Sequence, residues 1–218
     1  MNDAKIKVLL VDDHALLLEG LEALLGDHAD ISVVGTARTV SQATEAAARL
    51  HPDVVLMDFR LPDGTGAAAA VAMRSSESAP AIVFLSADDS HDSVLAAVEA
   101  GAVGYLVKSD AARDVAEAVR RAAAGEMLVP PGVLAQLISR QREKARDHAA
   151  GKVMVESLSS REMEVLKLMA GGMDNQSLAD KLFISYATVR GHVRNILAKL
   201  GAHTKLEAVA KASEFGLL

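Results

Sequence analysis

Five short runs, each apolar at nearly every position, recur with helix-length spacers between them: residues 5–11, 31–36, 53–58, 81–86 and 104–108. A strand with one wet face alternates apolar and polar residues. Continuous apolar runs rich in Val, Ile and Leu suit strands covered on both faces. The stretches between and after them read as helices near 14–26, 40–50, 65–75, 91–101 and 110–125. This alternation predicts an α/β doubly wound, five-stranded parallel sheet with right-handed crossovers. In the last of these helices Ala112, Val115, Ala116 and Val119 form one stripe, with Ser109 as the expected N-cap. Asp110 and Asp114 lie early and Arg120 and Arg121 late, as the helix dipole favours.

Four of the runs close on side chains with chemical capability. Asp12 and Asp13 close the first, Asp58 the third, Ser86 the fourth and Lys108 the fifth. In open parallel sheets, sites form beyond the carboxyl ends of the strands, so all five residues are expected in one place. A carboxylate can attack a phosphoryl group and carry it as an acyl phosphate. Clustered carboxylates need a hard divalent cation such as Mg²⁺, which prefers carboxylate, water and phosphate oxygens. Lys108 would hold a phosphoryl oxygen as a point charge, and Ser86 would donate a hydrogen bond to it. Positioning and charge neutralisation are most of what phosphoryl transfer requires.

Cysteine is absent, which excludes disulfides, thiol catalysis and Cys-ligated zinc. No run approaches the ~18 apolar residues of a membrane span, and residues 1–5 do not begin a signal peptide. A cytoplasmic location away from membranes is therefore expected. The net charge of −6 is unevenly spread. Residues 1–126 hold 10 Lys and Arg against 20 Asp and Glu, and residues 127–218 hold 13 against 9. The basic back part is either a nucleic-acid footprint or an ordinary solvated surface.

The pattern divides the chain into 1–126, a linker 127–156 and a second domain 157–218. Pro130-Pro131-Gly132 breaks the alternation, and a short helix through Val133, Leu134, Leu137 and Ile138 can follow. Ser159–Glu162 is a capping box opening the first of four helices, stopped by Gly171-Gly172. A short helix over 175–182 and a longer one over 186–200, capped by Ser185 and stopped by Gly201, form a helix-turn-helix. Thr204–Glu207 is a second capping box, opening the last helix. On the longer helix Val189, Val193, Ile196, Leu197 and Leu200 share the packed stripe. The opposite face carries Ala187, Gly191, Arg194, Asn195 and Ala198, flanked by Thr188 and Arg190. Arg190, Arg194 and Asn195 can read bases or bind phosphates. Gly191 inside a helix costs about 1 kcal/mol against Ala, which points to a demand for close approach. The absence of Trp argues against single-strand binding by stacking.

These motifs carry a resemblance. Val-Asp12-Asp13-His, Leu-Met-Asp58-Phe-Arg-Leu-Pro62-Asp-Gly-Thr-Gly66, Leu-Ser86-Ala and Gly104-Tyr105-Leu-Val-Lys108 resemble a response-regulator receiver domain, a flavodoxin-like fold. Leu158 to Leu166, Asn175, Leu178 to Val193 and Lys199-Leu-Gly201 resemble a LuxR-type helix-turn-helix. Together they are similar to the NarL/FixJ class. The resemblance implies a two-component regulator, not a turnover enzyme, in which Asp58 accepts phosphate from a sensor histidine kinase. It implies Mg²⁺ on Asp13, on Asp58, on the Arg60 backbone carbonyl and on Asp12 through water. It makes Ser86 and Tyr105 a switch pair. It implies duplex operator binding by a homodimer, with Arg190, Gly191 and Arg194 at base-reading positions and the stripe Leu206, Val209, Ala210 near the dimer contact, part of which must also cover the domain's own core. Ser109 stands where many receivers have proline. Gly191 replaces larger side chains, and Gln176 a common basic residue. An Arg60–Asp88 pair is expected to screen the acyl phosphate from water, unless the two are unrelated surface charges. The alternatives are a regulator that works without phosphate and an aspartyl-phosphate hydrolase. The hydrolase would need an acid where Arg60 stands.

Overall fold

A computed structural model describes residues 5–73, 79–87, 91–129, 134–135, 138–139 and 158–218, without side chains at 91–93, 95 and 109–114. The chain divides into two compact units, 1–128 and 129–218.

In the first unit β1 (Ile6–Val11), α1 (Ala15–Gly26), β2 (Ile31–Ala37), α2 (Val40–Leu50) and β3 (Val54–Asp58) come first. A two-residue pair, β4 (Arg60–Leu61) and β5 (Gly64–Thr65), leads into α3 (Gly66–Met73). Then follow β6 (Ala81–Ser86), α4 (His91–Glu99), β7 (Gly104–Val107) and α5 (Lys108–Ala123). Five strands form a sheet of order β2-β1-β3-β6-β7, parallel throughout. The expected doubly wound sheet is therefore present. The strand order reverses between β1 and β3, and a crevice opens at such a switch point.

Alternation along the buried strands assigns the two faces. Val8, Leu10, Val54, Leu56, Val83 and Leu85 pack with Leu18, Leu21 and Leu25 of α1 and with Val115, Val119 and Ala122 of α5. Each fully buried Leu or Val side chain contributes about 1.5–3 kcal/mol. The residues of opposite parity, Leu9, Val55, Met57 and Phe84, are equally buried. Ala43, Ala46 and Ala47 of α2 and Ala69 and Ala70 of α3 are buried, and α2 packs on α3.

Three features differ from expectation. The last helix of this unit starts at Lys108 with Val107 as N-cap and no side-chain cap, so Ser109 is not the cap. The helix starts two residues earlier than expected, at Lys108, whose side chain also contacts the acidic cluster at the strand ends. Arg120 does more than complement a dipole: its Nε and Nη2 donate to Asp30 at 2.7 and 3.0 Å. That contact holds the Asp30 carboxyl down to about 2. Leu128, inside the expected linker, extends the sheet edge. Its N–H donates to the Val103 carbonyl at 2.8 Å and its own carbonyl accepts from Tyr105 N–H at 3.0 Å. A Cβ on Gly104 would lie 2.5 Å from the Leu128 Cβ, so glycine permits this pairing.

Between residues 129 and 158 the described positions 134, 135, 138 and 139 are helical. Four helices make the remainder: α6 (Ser160–Ala170), α7 (Asn175–Leu182), α8 (Tyr186–Leu200) and α9 (Lys205–Glu214). Their starts follow the capping residues of the sequence. Ser159 and Glu162 form the full capping box of α6. Asp174 accepts from Ser177 N–H, and Ser185 from Thr188 N–H. At α9 the box is modified. Thr204 accepts from Glu207 N–H, but the Glu207 carboxylate reaches His203 N–H instead of the cap residue's own. Gly201 ends α8 in the left-handed region at φ 59°, as the sequence predicts. Phe183 does the same for α7 at φ 52°, an unusual task for an aromatic residue.

Candidate functional site

Asp12 follows β1, Asp58 ends β3, Ser86 ends β6 and Lys108 follows β7. Register brings them level. Asp58 pairs with Leu85, next to Ser86, and Ser86 pairs with Val107, next to Lys108. The Lys108 ammonium donates to Asp58 Oδ2 at 2.7 Å and lies 2.7 Å from Asp12 Oδ2. Burial alone would lower the Lys108 pKa. The contacts with Asp12 and Asp58 outweigh that and raise it above the usual lysine range. One cation thus ties together two acids that are adjacent in space and 46 residues apart in sequence.

Asp12, Asp13, His14 and Asp58 each place a ligand atom within 4.8 Å of the others. Asp12, Asp58 and Ser86 are buried, whereas the Asp13 side chain is 37% exposed. Asp12 Oδ2 is buried and faces the Lys108 ammonium at 2.7 Å. Three carboxylates gathered this closely form an oxygen-donor set able to hold a hard cation.

The Asp58 carboxylate is held from a second side, since its Oδ1 accepts from Arg60 N–H at 3.1 Å. The Arg60 side chain is exposed, and Asp88, its expected partner, lies outside the described residues. The backbone behind Asp58 is tightly packed. A Cβ on Gly66 would meet the Asp58 carbonyl oxygen at 2.5 Å and a Phe84 ring carbon at 2.7 Å. Tyr105, on β7, is buried.

Sequence reasoning singled out neither His14 nor the turn residues Arg38 and Asp63. His14 Nδ1 lies 3.0 Å from Asp12 Oδ1 and 2.8 Å from Asp13 Oδ1. Its signal was its place directly after the acid pair. Asp63 sits in Leu61-Pro62-Asp63-Gly64, a turn pattern, yet its carboxylate caps α2, a different element.

In the second unit Val189, Val193, Ile196 and Leu200 of α8 are buried, with Leu197 half-buried. Thr188, Arg190, Arg194 and Asn195 are exposed on the opposite side. Gly191 is half-buried, and a Cβ there would meet nothing within 4 Å. Internal packing therefore gives no reason for that glycine. Lys199 donates to Glu162 Oε2 at 2.6 Å, tying α8 to the start of α6. This contact above all, with the Ser159 cap, lowers the Glu162 pKa to about 2. On α9, Leu206 and Val209 are buried within this unit and Ala210 is half-buried, so most of the expected dimer stripe covers the unit's own core.

Comparisons with known proteins agree with both halves. The family model for the response regulator receiver domain matches residues 8–120, and that for bacterial regulatory proteins of the luxR family matches 156–212. The transcriptional regulatory protein YxjL of Bacillus subtilis is 36% identical over 219 residues, covering 100% of both chains. LiaR of the same organism, also a transcriptional regulatory protein, is 37% identical over 210 residues, covering 95% of this chain and 96% of its own. The signal receiver domain of NarL from Mycobacterium tuberculosis superposes with a TM-score of 0.54 at 35% identity, over 56% of this chain and 99% of its own. With a sheet whose carboxyl ends gather the acids and a helix-turn-helix later in the sequence, the chain belongs to the NarL/LuxR family of two-component response regulators, transcription regulators rather than turnover enzymes.

Proposed function

We propose that Asp58 is the phosphoacceptor and that its phosphorylation controls binding of α8 to duplex DNA. The observation that carries this reading is the Lys108 ammonium, 2.7 Å from both the Asp58 and the Asp12 carboxylate at the switch point of the sheet. An Asp58 oxygen attacks phosphorus, the bond from phosphorus to the donor's histidine nitrogen breaks, and an acyl phosphate forms on Asp58. Lys108 then pairs with a phosphoryl oxygen, and the Ser86 hydroxyl donates to another. Arg60 N–H, already on the Asp58 carboxylate, keeps the acceptor oriented. Mg²⁺ would be held by Asp12, Asp13, Asp58 and the Arg60 backbone carbonyl, and when bound it supplies charge neutralisation between carboxylates and phosphate. Arg60 and Asp88 screen the acyl phosphate, and the Ser86–Tyr105 pair reports its presence.

On the reader, Thr188, Arg190, Gly191, Arg194 and Asn195 meet the operator. Gly191 brings the helix backbone close, and the two arginines contact base edges or phosphates. The stretch after Leu128 and up to residue 156 serves as the linker between receiver and reader. The partners are a sensor histidine kinase, an operator duplex and a second copy of the chain, in the cytoplasm. Among the described residues no helix is long and apolar enough to cross a membrane.

Incubation with phosphoramidate and Mg²⁺, followed by intact-mass measurement, tests the acceptor. The wild type should gain one phosphoryl group and Asp58→Asn none. An equal gain in both would refute the assignment.

A further inference from the structure

The acidic cluster is held unevenly. Asp12 and Asp58 are buried and both touch Lys108, while the Asp13 side chain is 37% exposed and has no contact with that lysine among the described contacts. Its loop is anchored from another direction. Arg38, between β2 and α2, donates from Nη2 to the Asp13 backbone carbonyl at 2.8 Å.

Arg38 is itself fixed by the start of α2. Its N–H donates to Gln42 Oε1 at 2.9 Å, while Thr39 accepts from Gln42 N–H at 3.1 Å. The first two helix donors, Val40 N–H and Ser41 N–H, are satisfied by Asp63 at 2.7 and 3.1 Å. Orphan donors at a helix start need such an acceptor, and the helix dipole favours a negative one. The Val40 bond first, and the Ser41 bond after it, lower the Asp63 pKa below the usual carboxylate range. Asp63 belongs to the turn between β4 and β5, five residues after Asp58. A path of hydrogen bonds therefore runs from the acceptor loop through the α2 terminus and Arg38 to the loop bearing Asp13. It passes outside the carboxylate cluster.

We propose that Arg38 and Asp63 are positioning residues for the divalent cation, coupling the Asp13 loop to the Asp58 loop through the N-terminus of α2. This rests on the reading of Asp12, Asp13 and Asp58 as a cation site. Neither residue touches the cation. They set the distance between the loops that carry its ligands, as supporting groups around a metal site do.

Calorimetric titration of the full chain with Mg²⁺ tests this, using wild type, Arg38→Ala, Asp63→Ala and the double variant, with Asp13→Asn as control. Each single change should weaken binding about 10-fold. The double variant should lose little more than either single one, because both cut one path. Arg38→Lys and Asp63→Asn keep a donor and an acceptor and should recover part of the loss. They also carry the test if either alanine variant fails to unfold cooperatively. Unchanged Mg²⁺ affinity in the single variants, or losses that multiply in the double one, would overturn the coupling while leaving the cation site intact. A wild-type chain that binds no Mg²⁺, or an Asp13→Asn chain that binds as tightly as wild type, would overturn the cation reading and the coupling with it.

Discussion

The acidic site and the DNA reader are built by opposite strategies. The site takes Asp12, Asp58, Ser86 and Lys108 from four strand ends and exists only once the whole sheet has closed. The reader's helices are each started by a local device, a side chain that accepts from a backbone N–H three residues ahead. Long-range assembly suits chemistry that needs charges forced together. Local assembly suits a helix that must present one face whatever happens elsewhere in the chain.

Substitutions can sharpen that contrast. The largest effect belongs to the site. Lys108→Ala removes the ammonium shared by Asp12 and Asp58, and phosphorylation by phosphoramidate should slow by about 100-fold. Hydrogen exchange of the α8 amides should not change. A simultaneous loss of α8 protection would break the separation of the two regions.

In the reader, Ile196→Ala removes a fully buried side chain and should destabilise α6–α9 by about 3 kcal/mol. Hydrogen exchange of these helices reads it better than a whole-chain melt, because two compact units need not unfold together. The phosphorylation rate should stay at the wild-type value.

Glu162→Gln exchanges the Lys199 ion pair for a neutral contact and should cost about 2 kcal/mol. Its pH dependence follows from the sign of the shift. The folded pKa is lowered from 4.5 to about 2, so the contribution is complete above the unfolded value and is lost as pH falls toward the folded one. Wild type and variant should therefore converge in α8 protection between those two values, and a constant gap across that window would count against the ion pair. Ser159→Ala is the smallest change, about 1 kcal/mol from a lost cap, confined to the first turn of α6.

The same contrast explains what could be read from the sequence. The strands were legible because burial on both faces removes alternation, and the residues closing them located the site. Capping residues marked three of the reader's four helix starts nearly to the residue, and Asp174, the cap of α7, was not singled out. Local pattern could not show that Lys108 opens α5 with its ammonium on Asp58 and Asp12, 50 and 96 positions away. Nor could it show that Asp63 caps α2 instead of its own turn, that Leu128 joins the sheet edge beside Gly104, or that Glu162 finds Lys199. Each of these is a contact between segments whose individual patterns are already satisfied without it. Leu206 and Val209 teach the converse: an apolar stripe announces burial but not whether a partner or the unit's own core supplies it.

The central claim is that phosphate on Asp58 alters what α8 does. Its most direct test is the affinity of the full chain for a duplex selected from a random pool by the phosphoramidate-treated protein. Affinity is measured with and without phosphoramidate, for wild type and for Asp58→Asn. Phosphoramidate should change the affinity of the wild type and leave Asp58→Asn as it was. Equal affinity in all four conditions would contradict it.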